Sequence, residues 1–255
     1  MTSPPVLWQF RISHFNEKAR WALDWKGLPH VRRSLLPGVH VPRVLWMTRQ
    51  KKVPVLVVDG HAIADSSRII EAVERLRPDP PLYPTNEADR RRALELEDWF
   101  DEEVGPYMRR FAFHEMRREP EVFDAFASQA APEMFARGGR LAGVFGRAMT
   151  GARYGARDAD AAERAREKVL AGLDRLEAEL RPSGYLVGDR FSVADLTAAA
   201  LFAPLVMPPE FPYELPQPLP GPLARFRESI ASRPGFRWVA ETYRRHRGRS
   251  AEIAA

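Results

Sequence analysis

The sequence predicts a small mixed α/β domain followed by an all-helical domain. Three observations predict it. In the first 80 residues, short apolar strand-like runs alternate with helical periodicity in the order β-α-β, irregular, β-β-α. A proline-rich stretch, Pro78, Asp79, Pro80, Pro81 and Pro84, then reads as a linker. From about residue 87 the helical period persists with almost no strand signal.

The elements follow in order. Val6 to Phe10 reads as a strand rich in large apolar residues. Ser13 precedes a helical run whose apolar face is Phe15, Ala19, Ala22 and Leu23, ended by Gly27 and Pro29. A second strand spans Val31 to Leu36, and Pro37, Gly38 and Pro42 mark an irregular connection. Val53 to Val58 is a strongly apolar strand; Asp59-Gly60 is a hairpin turn, and His61 to Ile63 is the return strand. Asp65-Ser66-Ser67 opens a helix with Ile69, Ile70, Val73 and Leu76 on one face. Beyond the linker, Leu94, Trp99 and Phe100 begin a long helix reaching toward Arg117, and residues 121–150 are less regularly helical. Val169, Leu173, Leu176 and Leu180 form a helix seam, and a proline-rich loop from Pro208 to Pro222 precedes the last helices.

Composition excludes several chemistries. The 255 residues contain no cysteine, which removes disulfides, zinc–thiolate sites, iron–sulfur clusters and cysteine nucleophiles. The net charge of +5 is concentrated early, with 13 Lys and Arg against 7 Asp and Glu in residues 1–83. Such a field would attract a small anion, but from charge alone a solvated basic surface is the better reading. The densest basic cluster, Arg244, Arg245, Arg247 and Arg249, has the look of a helix end or tail. It lacks interleaved aromatic residues, so nucleic-acid binding is not expected. The apolar run Leu196 to Met207 is too short to span a membrane and is interrupted by Pro204. No signal-peptide pattern opens the chain, so a cytoplasmic protein is expected.

A few positions carry chemistry. Pro54 inside an apolar strand marks either an edge position or a cis bond that turns the Val53 backbone outward. Ser13 before a helix is an N-cap, or a hydroxyl at a site that favours anions. Asp65-Ser66 poses the same choice between a cap and a grip on an amino-acid moiety. Phosphate-loop, dinucleotide, metalloprotease and hydrolase-elbow patterns are absent, and no metal is expected.

Together these features resemble the cytosolic glutathione S-transferase superfamily. The strand, the Ser13-led helix, Val53-Pro54-Val55-Leu56, and Asp65-Ser66 at a helix start occur in the family's order. Tyr185 to Leu196 is similar to its capping segment, with Ser192 as N-cap, Asp195 at the third helical position and Phe191 and Leu196 as a staple. The stretch Ser13 to Leu23 looks like bacterial members.

The resemblance implies a thioredoxin-like α/β domain over 1–83, binding glutathione, and an all-α domain over 84–255 forming a hydrophobic substrate pocket. It places Ser13 opposite the glutathione sulfur, with Asn16 as a second candidate donor. It places the Val53 backbone, turned by Pro54, on the cysteine unit, Asp65 and Ser66 on the γ-glutamyl end, and Lys52 near the glycyl carboxylate. Asp98 or Asp101 would reach a neighbouring subunit's site in a homodimer. No tyrosine precedes Tyr83 and no cysteine exists, so activation would be of the serine type. His14 stands where proline is common, and residues 119–157 and the Pro208–Pro222 loop are longer than usual. The implied function is detoxifying conjugation of glutathione, the co-substrate, to a small hydrophobic electrophile. A non-catalytic binding or interaction module is the alternative.

Overall fold

A computed structural model describes residues 3–130, 132–215 and 217–254. Residues 131 and 216, inside the two long segments, lie outside the described residues. The N-terminal part comprises β1 (Val6–Gln9), α1 (His14–Trp25), β2 (Val31–Ser34), α2 (Val41–Thr48), β3 (Val55–Val58), β4 (His61–Ala64) and α3 (Ser66–Leu76). The sheet order is β2-β1-β3-β4, with β1 and β2 parallel and the other pairs antiparallel. Leu7 stands opposite Leu56, and both are buried with Ala19 and Leu23 of α1 and Ile69 and Val73 of α3. Asp59 and Gly60 both have positive φ, 46° and 82°, as a tight β3–β4 hairpin requires. This is a thioredoxin-like α/β domain.

The rest is helical: α4 (Glu87–Glu103), α5 (Gly105–Arg118), α6 (Pro120–Ala130), α7 (Pro132–Arg153), α8 (Ala159–Glu179), α9 (Val193–Val206), α10 (Gly221–Ile230) and α11 (Pro234–His246). The apolar run around Leu196 lies within α9, which is buried on every side and packs on α1, α4 and α11. Among the described residues no helix is long and apolar enough to cross a membrane.

Three local expectations change. The irregular stretch after Gly38 contains α2, because Pro42 falls in its first turn, where a missing N–H costs nothing. The single helix expected from Leu94 to Arg117 is two. Val104 ends α4, and Pro106 lies in the first turn of α5. Gly105 at this break faces Phe15, whose ring Cζ would lie 2.3 Å from an added Cβ. The less regular stretch expected over 121–150 is, among the described residues, two helices, α6 and α7, with α7 kinked at Gly139 (φ 48°, ψ −132°).

The largest departure concerns charge. Asn16, Glu17, Lys18, Arg20 and Asp24 of α1 are all buried, so the helix is enclosed on its polar as well as its apolar face. Each charge has a partner. Glu17 pairs with Arg20 at 2.7 Å and with Arg247 at 2.6 Å; Asp24 pairs with Arg32 at 2.6 Å and with Arg247 at 2.9 Å. Lys18 pairs with Asp101 at 2.6 Å and Glu97 at 3.2 Å in α4. Burial opposes the Lys18 ammonium, but the two carboxylates outweigh it and raise its pKa. Three of the four arginines near the C-terminus are likewise tied down, with Arg244 and Arg245 both on Glu241 and Arg247 buried; Arg249 is exposed. The following residues return to the first domain. Ala251 N–H donates to Asp24 Oδ1 at 2.8 Å and Ile253 N–H to the His30 carbonyl at 2.9 Å.

At the start of α9 the Asp195 carboxylate accepts from the N–H groups of Leu186 (2.8 Å) and Ser192 (2.9 Å) and from the Ser192 hydroxyl (2.8 Å). Burial pushes its pKa up to about 6 against these donors. Phe191 and Leu196 are both buried beside it.

Two stability measurements follow. Glu17→Ala leaves two buried arginines short of a carboxylate and should cost about 3–5 kcal/mol in urea unfolding. A loss below about 1 kcal/mol would count against the pairing. Asp195→Ala removes a cap worth about 0.5–2 kcal/mol and orphans the buried Leu186 N–H, adding about 1–3 kcal/mol. An unshifted melting temperature would contradict the capping role.

Candidate functional site

Helix α1 begins at one wall of a deep cleft. Ser13 is its N-cap, with extended backbone (φ −154°, ψ 124°), half-buried and lining the cleft. The Ser13 hydroxyl oxygen accepts from Asn16 Nδ2 at 2.6 Å and from the Asn16 backbone N–H at 3.5 Å. The Ser13 carbonyl accepts from Glu17 N–H at 2.9 Å and from Arg20 Nη2 at 3.3 Å. A hydroxyl offers two lone pairs and one hydrogen. Its acceptor capacity is met from within the helix, so the hydrogen is left to donate into the cleft. Asn16 itself is fully buried and does not line the cleft. The Asn16 amide stands behind Ser13 and spends a donor on the Ser13 hydroxyl rather than facing the cleft.

The opposite wall comes from the β3 entry and the α3 start. The Val53–Pro54 peptide is cis, and Lys52, Val53 and Pro54 all line the cleft, Lys52 at the exposed rim. Asp65 caps α3 by accepting from Ser67 N–H at 3.0 Å and Arg68 N–H at 3.3 Å. Its backbone (φ 82°, ψ 133°) lies where side-chain-bearing residues rarely go, a strain of about 1–3 kcal/mol. Strain of this kind clusters at ligand clamps. Ser66 is buried beside it and also lines the cleft.

Behind Ser66, Lys18 Nζ donates to Ser67 Oγ at 3.2 Å, and the Ser67 hydroxyl donates to Asp101 at 3.0 Å. Asp101, one of two carboxylates considered for a neighbouring subunit, is thus engaged within its own chain. Asp98 is exposed at the rim. His14 is held neutral: burial first, then the nearby Arg109 charge, pull its pKa down to about 3. Its Nε2 is 3.0 Å from the Gly105 carbonyl.

The third wall is apolar. Met108 and Phe113 of α5, Phe123 and Phe126 of α6, Met149 of α7 and Phe211 of the proline-rich loop line it. Both long segments therefore contribute to the cleft. Tyr154 stacks on Phe113 with ring planes 4° apart, and the Arg109 guanidinium lies 4.4 Å over the Tyr154 ring. The cleft encloses about 1270 Å³, more than one drug-sized ligand fills. Sequence reasoning gave no site role to Lys18, Ser67, Arg109 or Tyr154: Lys18 and Ser67 lie inside stretches it did single out, but only packing brings all four to the cleft. Among the described residues no group of three or more His, Cys, Asp or Glu could hold a metal ion.

Comparison with known proteins agrees with this architecture. The glutathione S-transferase N-terminal domain matches residues 7–81, and the glutathione S-transferase C-terminal domain matches residues 113–234. FtsZ-localized protein A of Caulobacter vibrioides is 26% identical over 204 residues, covering 78% of this chain and 76% of that protein. Two solved structures share the fold. One is a Methylobacterium radiotolerans glutathione S-transferase in complex with glutathione sulfonate (TM-score 0.55, 23% identity, 92% of this chain and 93% of that one). The other is a Xanthomonas axonopodis theta-class enzyme with glutathione bound (TM-score 0.57, 20% identity, 92% and 96%). With both of its domains matched by the two halves of one family, and in the same order, the chain belongs to the glutathione S-transferase superfamily.

Proposed function

We propose that the chain is a serine-type glutathione transferase that joins the glutathione thiolate to hydrophobic electrophiles. The observation that carries this reading is the Ser13 hydroxyl. Its oxygen is occupied from inside α1, and its hydrogen is available at a helix N-terminus, facing a cleft lined across from it by Lys52, Val53, Pro54, Asp65 and Ser66. In this reading residues 1–83 hold glutathione and residues 84–255 shape the electrophile pocket. The Val53 backbone pairs with the cysteinyl unit, Asp65 and Ser66 hold the γ-glutamyl end, and Lys52 meets the glycyl carboxylate. A homodimeric, cytoplasmic, detoxifying protein belongs to the same proposal.

The chemistry is one of proton affinity. A free thiol of pKa about 8.5 is mostly protonated at neutral pH. Lowering it by about 2 units requires about 2.7 kcal/mol. A hydrogen bond to a charged group contributes about 1.5–3 kcal/mol, and a helix N-terminus about 0.3–1 kcal/mol. The two together suffice. The thiolate sulfur then forms a bond to an electrophilic carbon, and the leaving group departs with its bonding pair.

A second reading has its own support. A relative covered over three-quarters of its length is named for localisation to FtsZ rather than for a transferase reaction. A non-catalytic module using the same cleft for a ligand or partner remains the alternative.

Calorimetry with reduced glutathione tests the first reading. Binding at or below millimolar concentration is expected; no detectable heat would favour the module. Ser13→Ala should keep the affinity within about threefold while raising the bound thiol's pKa by about 1–2 units, read as lost thiolate absorbance at neutral pH. Normal thiolate formation in that variant would move activation to the helix terminus alone. Asp65→Asn keeps a capping oxygen and tolerates the left-handed backbone, so the melting temperature should hold. Glutathione affinity should fall about ten- to a hundredfold, the weight of one charge-assisted contact. Equal affinity would remove Asp65 from the γ-glutamyl contact. Sedimentation as a monomer at micromolar concentration would remove the homodimer.

A further inference from the structure

The electrophile side of the cleft contains an arginine with no anionic partner among the described residues. Arg109 lies on α5 between Phe15, two residues after Ser13, and the Tyr154–Phe113 stack, and it lines the cleft. Its Nε is buried with no hydrogen-bond partner. The side chains that act on it electrostatically are Tyr154, Arg153 and Arg110, none of them a carboxylate. Burial, and then the two neighbouring arginines, press its pKa down, yet a guanidinium stays protonated in proteins.

The arginines with fully buried side chains each have a carboxylate. Arg20 has Glu17, Arg32 has Asp24, and Arg247 has both. Arg109 is only half-buried, but its Nε is buried without a partner, and that unmet donor lies at the wall of a ligand cleft rather than in the core. The acidic residues that line the cleft are on the α3–α4 side: Asp65, Asp98, Asp101 and Glu102. Asp101 is held by Lys18 and Ser67. A planar guanidinium fork matches a carboxylate in two parallel hydrogen bonds, and the flat Tyr154–Phe113 pair beside it matches an aromatic ring.

We propose that Arg109 selects aromatic electrophiles that carry a carboxylate, pairing with that group while the ring lies in the apolar arm of the cleft. The inference rests on the transferase reading for its reactive step, but not for its binding step. In that step the glutathione sulfur bonds to the ring carbon bearing the leaving group. With a chloroarene, the carbon–chlorine bond breaks, chloride takes the bonding pair, and the carboxylate emerges unaltered.

The test separates the two readings. 4-Chloro-3-nitrobenzoate and its methyl ester serve as reactive probes; 3-nitrobenzoate and methyl 3-nitrobenzoate, which lack a leaving group, serve as binding probes. In Arg109→Met, kcat/KM for the acid relative to the ester should fall about ten- to a hundredfold, the weight of one charged hydrogen bond. Arg109→Lys, which keeps the charge but loses the fork, should give an intermediate ratio. Calorimetry of 3-nitrobenzoate should show binding to the wild type that weakens by the same factor in Arg109→Met. A ratio that does not move, or 3-nitrobenzoate binding indifferent to Arg109, overturns the proposal even if the enzyme turns over. Arg109-dependent 3-nitrobenzoate binding without any conjugation upholds the anion site while removing the transferase reading. Loss of bound thiolate absorbance in Arg109→Met with an unchanged acid-to-ester ratio assigns Arg109 to the thiol and overturns it as well.

Discussion

The structure depends on a helix that is buried on all sides while carrying charge. Helix α1 encloses Glu17, Lys18, Arg20 and Asp24 as completely as it encloses Ala19, Trp21 and Leu23. Uncompensated, each of those ions would cost several kcal/mol. The chain can place α1 between its two domains only by bringing opposite charges from both, and this requirement fixes where α4, α11 and the residues after α11 must lie. Glu17 is met by Arg247, 230 residues away, and Lys18 by Glu97 and Asp101 across the domain junction. Replacing such a network wholesale with apolar groups is often harmless, whereas removing one member is not. The network therefore acts more as a specification of geometry than as a net source of stability.

The same constraint reaches the cleft. Arg20 holds the Ser13 carbonyl and Asn16 holds its hydroxyl oxygen, so the residue at the cleft wall is positioned by groups that never touch a ligand. On the far side, Lys18 holds Ser67 and Asp101 directly behind the strained Asp65-Ser66 corner. Two facing walls of the cleft are thus supported by one helix. The catalytic reading of Ser13 and the binding reading of Asp65 share a single scaffold, and a fault in α1 packing would disturb both at once.

The apolar arm is built differently. It is made of aromatic and sulfur-containing side chains from α5, α6, α7 and the proline-rich loop, packed with few polar contacts. Such surfaces set shape and give little direction. Arg109 supplies direction there, held by ring faces rather than by a carboxylate. A polar, cross-braced wall thus faces an apolar wall whose Tyr154 ring carries two arginines, Arg109 and Arg153.

Much of this was legible in the sequence, for local reasons. Strand alternation, the Asp59-Gly60 turn, the serine and aspartate caps and the apolar faces of α1 and α3 are set by neighbours within one or two turns, and they also located the residues lining two walls of the cleft, from Ser13 to Ser66. Local signals misled where proline was read as irregularity at Pro42 and where Pro106 divides a continuous helical period. What no local pattern carries is which polar residues are inside. Periodicity reports the apolar face of a helix and carries no sign that the polar face of α1, with Glu17, Lys18 and Arg20, is also enclosed, or that Arg247, at the end of α11, is buried. Only the tertiary structure decides this, because burying a charge depends on a partner far along the chain: Arg247 for Glu17, Glu97 for Lys18, and for Arg109 no partner within the described chain.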